Sequence, residues 1–219
     1  RTDENMAYFH IFIQLEGEDC LVAGGGKVAQ RKVEILLEYG PGIRLVAPEV
    51  TARLRELGEQ GKIRIFLRQF QPEDLEGAGL VIAASNDPAV NGAISAACRR
   101  RKIPVNVVDV KEECSFLFPA LVKDQDVTVG ISTGGGSPAM AGFLKKKIRE
   151  ALPEGFGQAA HWVGGQRERL KPHIVIPSLR EEIFKELAEL ALSRIQEGRE
   201  FPTDEEVDEL VRRKLRSEE

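Results

Sequence analysis

Asp19-Cys-Leu-Val-Ala-Gly-Gly-Gly-Lys-Val-Ala-Gln-Arg-Lys32 is the stretch on which the reading of this chain turns. An apolar run, Cys20 to Ala23, meets three consecutive glycines, Gly24, Gly25 and Gly26. A helix-compatible pattern follows, with Val28, Val33, Ile35, Leu36 and Leu37 as its apolar positions. Strand, glycine turn and helix in that order open a dinucleotide-binding βαβ unit. The spacing is G-x-G-x-x-A, carried by Gly24, Gly26 and Ala29. Gly24 is expected to permit the tight turn, Gly26 to let a pyrophosphate approach the backbone, and Ala29 to let the helix pack close to the strand. The helix start at Lys27 and Val28 would present unpaired N–H groups and a partial positive charge to the phosphates. A bare strand-to-helix turn also favours glycine; the strand before and the helix after are what turn the pattern towards a cofactor.

The pattern outward from this point alternates. The first helix is predicted from Val28 to Tyr39, stopped by Gly40-Pro41-Gly42. A second strand follows at Ile43–Ala47, ended by Pro48, and a second helix at Glu49–Gln60. Ile63–Leu67 and Leu80–Ala84 read as the third and fourth strands, with a short turn or helix at Pro72–Leu75 between them. Asp87-Pro88 supplies a helix cap and first-turn pair for a helix carrying Val90, Ile94, Ala97 and Cys98, and Ile103–Val108 is the fifth strand. Continuous apolar strands between helices imply an α/β fold with a parallel, Rossmann-like sheet covered on both faces. Ligands of such sheets lie outside the strands' carboxyl ends. Those ends are Gly24–Gly26, Ala47–Glu49, Ala84–Asn86 and Val108–Asp109, which makes Pro48, Glu49 and Ser85 further cofactor candidates. An acid at the end of the second strand would bond the ribose hydroxyls. Glu49 comes one or two residues late and fits either that role or the first turn of the next helix. No arginine follows directly to claim a 2′-phosphate, so NAD is preferred over NADP.

Ahead of the first strand, Tyr8–Ile13 is a short apolar segment expected to pack under the sheet or lead into it, with His10 a packed or surface residue. From Cys114 the pattern changes. Cys114–Val122 and Val127–Thr133 read as two strands joined by Lys123–Asp126, too few to complete a core alone. Gly134-Gly-Gly-Ser-Pro138 then leads into a helix through Met140, Phe143, Leu144 and Ile148, with Ser137 as cap; this loop is either a second anion site or a hinge. Beyond Pro153 everything reads as helical: Phe156–Leu170, then Ile183–Ile195 behind a capping box at Ser178–Glu181, then a charged helix begun by Pro202–Glu205.

The composition is that of a soluble globular protein: 219 residues, 42% hydrophobic, 30% charged, formal net charge −4. Nothing in this balance suggests nucleic acid. No apolar run approaches membrane-spanning length and no secretory leader pattern occurs, so a cytoplasmic protein is expected. Cys20, Cys98 and Cys114 lack zinc or CxxC spacing, and Cys20 and Cys98 read as small core residues. Arg1–Asn5 carry no pattern and read as a remnant or frayed terminus, and the last residues as mobile.

Five blocks together are specific. Gly24–Lys32, Val81–Asp87, Val105-Asn-Val-Val-Asp109, Cys114-Ser-Phe-Leu-Phe-Pro-Ala120 and Ser132-Thr-Gly-Gly-Gly-Ser-Pro138 resemble the precorrin-2 dehydrogenase / sirohydrochlorin ferrochelatase family, in order and spacing, over roughly residues 6–200. The resemblance implies three parts: an NAD-binding Rossmann domain at 6–112, a strand-rich dimerisation segment at 113–152 and a helical domain at 153–219. The orphan strands would then pair across a homodimer. It implies oxidation of precorrin-2 by NAD⁺ to sirohydrochlorin and, in bifunctional members, insertion of Fe²⁺ to give siroheme. On this resemblance the 219 residues are expected to hold no methyltransferase domain of the kind to which some members are fused.

Asp109 matches the family's functional aspartate, and a carboxylate at the end of the fifth strand suits proton removal from the reduced tetrapyrrole. Capping of the turn into Lys111–Glu113 is its structural alternative. The substrate is a polycarboxylate, so basic groups near the cleft should orient it; Arg31, Lys32, Lys145, Lys146 and Lys147 are candidates, with Ser132, Thr133, Gly134 and Ser137 as loop contacts. Arg99–Lys102 reads as a helix-end charge cluster. His161 and His173 lack paired metal-ligand spacing, and no metal ligand is assigned. The alternative from another class is a regulatory module that binds NAD without catalysis, as in Rossmann domains of potassium-transport systems. Such modules normally carry an acid at the end of the second strand, and they leave Asn106–Asp109 and Cys114–Ala120 unexplained.

Overall fold

The computed structural model describes residues 8–217, so the expectations for Arg1–Asn5 and for the final two residues lie outside it. The chain divides after Phe118 into two compact units.

The first unit is a five-stranded parallel sheet, ordered β3-β2-β1-β4-β5. The strands are β1 (Asp19–Ala23), β2 (Gly42–Val46), β3 (Arg64–Phe66), β4 (Leu80–Ala83) and β5 (Val105–Val107). The helices between them are α1 (Lys27–Leu37), α2 (Ala52–Glu59) and α3 (Pro88–Arg101), with a single 3₁₀ turn at Pro72–Leu75. Alternation along β1 explains why the strands are apolar throughout. Cys20 and Val22 face a core with Ala29, Val33 and Leu36 of α1 and Leu54 and Leu57 of α2. Leu21 and Ala23 face the opposite core with Ile94, Ala97 and Cys98 of α3. Each buried Leu, Ile or Val contributes about 1.5–3 kcal/mol, and a sheet covered on both faces collects that from consecutive residues. The order reverses between β1 and β4, which sets a crevice at the carboxyl edge.

Three local expectations change. Tyr8–Ile13 does not pack under the sheet: Phe9 is 90% and Phe12 80% exposed, and no strand forms there. Both faces of the sheet are already covered by α1–α3, which leaves no face for it to pack under. The second helix starts three residues later than predicted, at Ala52, because Thr51 is its cap: the Thr51 hydroxyl accepts from the Leu54 N–H at 3.3 Å. Cys114–Pro119 is not strand. It is a connector sewn to β5, with the Ser115 N–H on the Val105 carbonyl at 2.8 Å and the Asn106 amide on the Phe116 carbonyl at 3.1 Å.

The second unit opens with an antiparallel pair, β6 (Ala120–Asp124) and β7 (Val127–Ile131), in register Asp124↔Val127. Val122, Ile131 and Ala141 of α4 (Pro138–Ala151) form a small core. Helices α5 (Phe156–Leu170), α6 (Pro177–Gln196) and α7 (Asp204–Ser217) build a second one around Leu170, Ile183, Leu187 and Val211. The predicted capping box at Ser178 is not formed. Pro177, lacking an N–H, takes the first helical position and starts α6 one residue before it, with Ile176 as cap. A capping box appears instead at α7, where Thr203 and Glu206 bond each other's backbone N–H groups at 3.3 and 2.7 Å.

Candidate dinucleotide cleft

The carboxyl edge of the sheet holds a cleft of about 520 Å³ lined by Gly24–Gly26, Ala47–Thr51 and Ala84–Asp87. Three loops make it, and hydrogen bonds lock them together. The Gly24 N–H reaches the Val46 carbonyl at 2.9 Å, the Thr51 N–H the Gly25 carbonyl at 3.0 Å, and the Ala84 N–H the Ala23 carbonyl at 2.7 Å.

The three glycines do three different things. Gly24 has φ +130°, and an added Cβ would fall 2.2 Å from the Ala84 carbonyl oxygen. Gly25 lies under the β2–α2 loop, where a Cβ would fall 1.9 Å from the Glu49 carbonyl oxygen. Gly26 has nothing within 4 Å of its Cβ position. It is the cap residue of α1, brings no side-chain bond to the helix end, and no acid occupies the first turn. A helix N-terminus thus opens onto vacant space with its N–H groups uncapped by any side chain, which is the physical requirement for a phosphate group.

Pro48, Glu49 and Ser85 line the cleft. Glu49 is exposed and stands two residues before the α2 cap, so it is not a first-turn acid of that helix. Lys27 and Val28 begin α1 beside the cleft without lining it. Asp109 also lies outside the lining. It follows β5 by two residues, is exposed, and holds the left-handed conformation at φ +63°. The preceding Val108 N–H ties it to the same sheet edge through the Ala83 carbonyl at 3.0 Å.

Several residues of this neighbourhood were not singled out by the sequence. Buried Asn91 of α3 clamps the Ser85 peptide on both sides: its amide oxygen accepts from the Ser85 N–H at 3.0 Å and its amide nitrogen donates to the Ser85 carbonyl at 2.9 Å. Its signal was there, since Asn91 shares the core-facing stripe of Ile94, Ser95 and Cys98. Thr51 joins α2 to α1 by donating to Gln30 Oε1 at 2.8 Å. Beneath the Asp109 turn, the Cys114 thiol sits 3.2 Å from both the N–H and the carbonyl of Val107, and burial raises its pKa. Cys20 and Cys98, buried in the two cores, are pushed up to about 11 and are unreactive packing residues.

In the second unit the glycine loop bonds to itself. The Ser132 hydroxyl accepts from Gly134 N–H at 3.1 Å, the Thr133 hydroxyl from Ser137 N–H at 3.1 Å, and the Thr133 carbonyl from Gly136 N–H at 3.1 Å. Ser137 caps α4 through the Met140 N–H at 3.3 Å, as its sequence position indicates. Lys145 is half-buried on α4, while Lys146 and Lys147 pair with Glu150. His161 bonds Asp126 at 2.7 Å. Among the described residues no group of three or more His, Cys, Asp or Glu could hold a metal ion, and no helix is long and apolar enough to cross a membrane.

The family model described as "Putative NAD(P)-binding" matches residues 11–120, the part that builds the cleft. The chain belongs to this NAD(P)-binding family. Similarity over more of the chain is found to part of longer proteins. A siroheme synthase of Methylococcus capsulatus is 41% identical over 192 residues, covering 85% of this chain and 40% of that protein. One of Pseudomonas entomophila is 38% identical over 166 residues, covering 76% of this chain and 36% of the relative. The chain thus spans about two fifths of the length of these relatives. Among solved structures, "SirC, precorrin-2 dehydrogenase" superposes with TM-score 0.70 at 24% identity, covering 87% of this chain and 100% of that one. The NAD(P)-binding assignment and the cleft agree, since the matched segment supplies every lining residue.

Proposed function

We propose that this chain is an NAD-dependent precorrin-2 dehydrogenase, a module of the kind found within siroheme synthases. The observation that carries the reading is the 41% identity to a siroheme synthase over 85% of the chain, joined to a cleft whose one vacant glycine position faces a helix N-terminus. NAD⁺, when bound, supplies the acceptor for the hydride removed from the tetrapyrrole. Gly26, Lys27 and Val28 would hold its pyrophosphate through the uncapped end of α1, with Gly24 and Gly25 shaping the loop. Glu49 would accept from the ribose hydroxyls, and Pro48 and Ser85 would line the remaining wall. The charged residues lining the cleft, Glu49 and Asp87, are both acidic. A 2′-phosphate would meet repulsion there, which favours NAD over NADP.

Dehydrogenation removes a hydride and a proton together. Asp109 takes the proton in this reading, its carboxylate being exposed at the sheet edge that carries the cofactor cleft. Ser132, Thr133, Gly134, Ser137 and Lys145 would bind the substrate's carboxylates in the completed enzyme. We assign residues 6–112 to cofactor binding, 113–152 to homodimer formation and 153–219 to covering the tetrapyrrole. Fe²⁺ enters as a second substrate, and the reaction belongs to the cytoplasm, where the three free cysteines stay reduced.

The test is anaerobic. Purified protein receives enzymatically generated precorrin-2 and NAD⁺, and the visible spectrum is followed before and after Fe²⁺. Sirohydrochlorin should form only with NAD⁺, and iron insertion should exceed the protein-free rate. NAD binding without conversion of authenticated substrate would replace this reading with that of a regulatory module.

A further inference from the structure

Helices α5 and α6 frame a second cavity, of about 290 Å³, lined by Arg167, Pro177, Arg180, Glu181 and Phe184. The last four stand at i, i+3, i+4 and i+7 on α6, one face of that helix. Arg167 comes from the last turn of α5. Phe184 is the buried member of the set, 8% exposed and part of the helical core with Ile183 and Leu187. The Arg167 guanidinium stands over its ring, with Cζ 5.4 Å from the centroid, a contact that orients the guanidinium plane. Arg180 is half-buried, one turn before Phe184. Val175 and Ile176, 84% and 47% exposed, lead into Pro177, so apolar surface continues along the chain from the cavity wall.

Neither guanidinium has an acceptor. Among the described residues no carboxylate or other oxygen bonds the Arg167 or Arg180 side chain, and Glu181 of the same cavity pairs with neither. Other arginines of these helices are occupied. Arg169 holds Asp208 at 2.6 Å, Arg194 holds Glu206 at 3.2 Å and Arg213 holds Glu186 at 3.1 Å. Two arginines thus converge on one concave, aromatic-backed site with their donors unspent. An arginine presents a planar fork of N–H groups that matches a carboxylate. Phe184 and Pro177 beside those forks suit an apolar body attached to that carboxylate.

We propose that the α5–α6 cavity is a carboxylate-binding site and that its ligand is the tetrapyrrole: one acetate or propionate group would take the two guanidiniums, with apolar ring edge against Pro177 and the Val175–Ile176 surface. The choice of ligand rests on the dehydrogenase reading, whose substrate has both parts, an apolar ring and a carboxylate rim; the site rests on its own geometry. A volume of about 290 Å³ admits a side chain of the macrocycle and not the macrocycle itself. The site therefore anchors and does no chemistry, and its loss should appear in binding.

Binding is measured first, without turnover. The full chain is titrated with uroporphyrin, a stable oxidised macrocycle carrying acetate and propionate groups, and the porphyrin absorbance is followed. Arg167→Gln and Arg180→Gln should each weaken binding about tenfold, the loss expected for a hydrogen bond to a charged group. NAD affinity and the melting temperature should stay at wild-type values. Added salt should weaken wild-type binding more steeply than that of the double variant. Arg180→Lys, which keeps the charge and the helix, should still bind several-fold more weakly because the planar fork is gone. Wild-type uroporphyrin affinity in both glutamine variants overturns the proposal. So does a loss confined to variants that melt early, with Arg180→Lys binding as wild type. Turnover is measured second: KM for precorrin-2 should rise about tenfold in Arg180→Gln with kcat kept. Wild type that bound uroporphyrin through these arginines but converted no authenticated precorrin-2 would end the dehydrogenase reading and leave the site standing. Wild type that converted precorrin-2, with KM unchanged in both glutamine variants, would end the site and leave the enzyme.

Discussion

Neighbouring glycines of the cleft should fail in opposite ways. At Gly25 an added Cβ would fall 1.9 Å from the Glu49 carbonyl oxygen and 3.0 Å from the Ala47 Cβ. The obstacle is backbone, itself tied down by the Thr51 N–H bond to the Gly25 carbonyl, so the β2–α2 loop must move as a piece. Overpacking costs roughly 1–3 kcal/mol, and a backbone clash belongs at the upper end. A Gly25→Ala protein should therefore melt about 10 °C below wild type, at about 4 °C per kcal/mol for a unit of this size. At Gly26 the Cβ position is empty and φ is −81°, so Gly26→Ala should melt within about 2 °C of wild type, a cap change of a few tenths of a kcal/mol. Its methyl group would nonetheless stand where a pyrophosphate must approach. NAD affinity should fall at least tenfold, a loss of about 1.4 kcal/mol, and Gly26→Asp should abolish binding by adding negative charge. Thermal unfolding by circular dichroism and calorimetric NAD titration read the two effects separately. Equal melting temperatures for Gly25→Ala and wild type, or full NAD affinity in Gly26→Asp, would refute this account of the loop.

Asn91→Leu leaves the Ser85 N–H and carbonyl without their partners; it should cost about 2 kcal/mol in denaturant unfolding and weaken NAD binding in parallel. Asp109→Gly relieves the left-handed conformation while deleting the carboxylate; it should unfold about 0.5–1 kcal/mol less readily than wild type and lose turnover, and unchanged turnover would remove Asp109 from the chemistry. Lys32 gives a pH dependence of stability. Its folded pKa, about 8, lies below the ordinary lysine value of 10.5, so the native state holds fewer protons than the unfolded chain and the protonated form is disfavoured by folding. The penalty is in full force below pH 8 and fades as pH rises from 8 to 10.5. Screened by its partial solvent contact it is about 1–2 kcal/mol. Lys32→Met should thus be more stable than wild type at pH 7 and lose that advantage by pH 10.5, as followed by urea unfolding at both values.

The sheet was legible because its signal is redundant. Cys20–Ala23 and Leu80–Ala83 are apolar at every position, and only a strand covered on both faces uses such a run. Asp87-Pro88 placed α3 to the residue, since a cap and a proline constrain the same end. Errors arose where one local signal competed with another. Ser178–Glu181 has the letters of a capping box, but Pro177 had already fixed the helix start. Cys114–Pro119 has strand composition, yet its backbone bonds are spent on β5 through Ser115 and Phe116. The apolar letters of Tyr8–Ile13 say nothing about whether the sheet has a free face or edge to receive them.

The cleft was legible for a different reason: a strand's carboxyl end has a sequence address once the strand is found. Gly24–Gly26, Pro48, Glu49 and Ser85 follow from that rule alone and converge on one cavity. What the rule misses is support across the fold. Gly25 needs no side chain because of Glu49, 24 positions away and on another loop, and Ser85 is held by an amide one helical turn into α3. Lys32 illustrates the same limit on the chemical side. Written out, it is one of two adjacent basic candidates, Arg31 and Lys32, for orienting a polycarboxylate substrate. Folding turns the two apart: Arg31 remains exposed, while Lys32 is half-buried with its ammonium on the Phe118 ring. One short stretch, Gly24 to Lys32, thus carries both the open helix end at the cleft and, further along the same helix, a half-buried cation that its letters alone do not separate from its exposed neighbour.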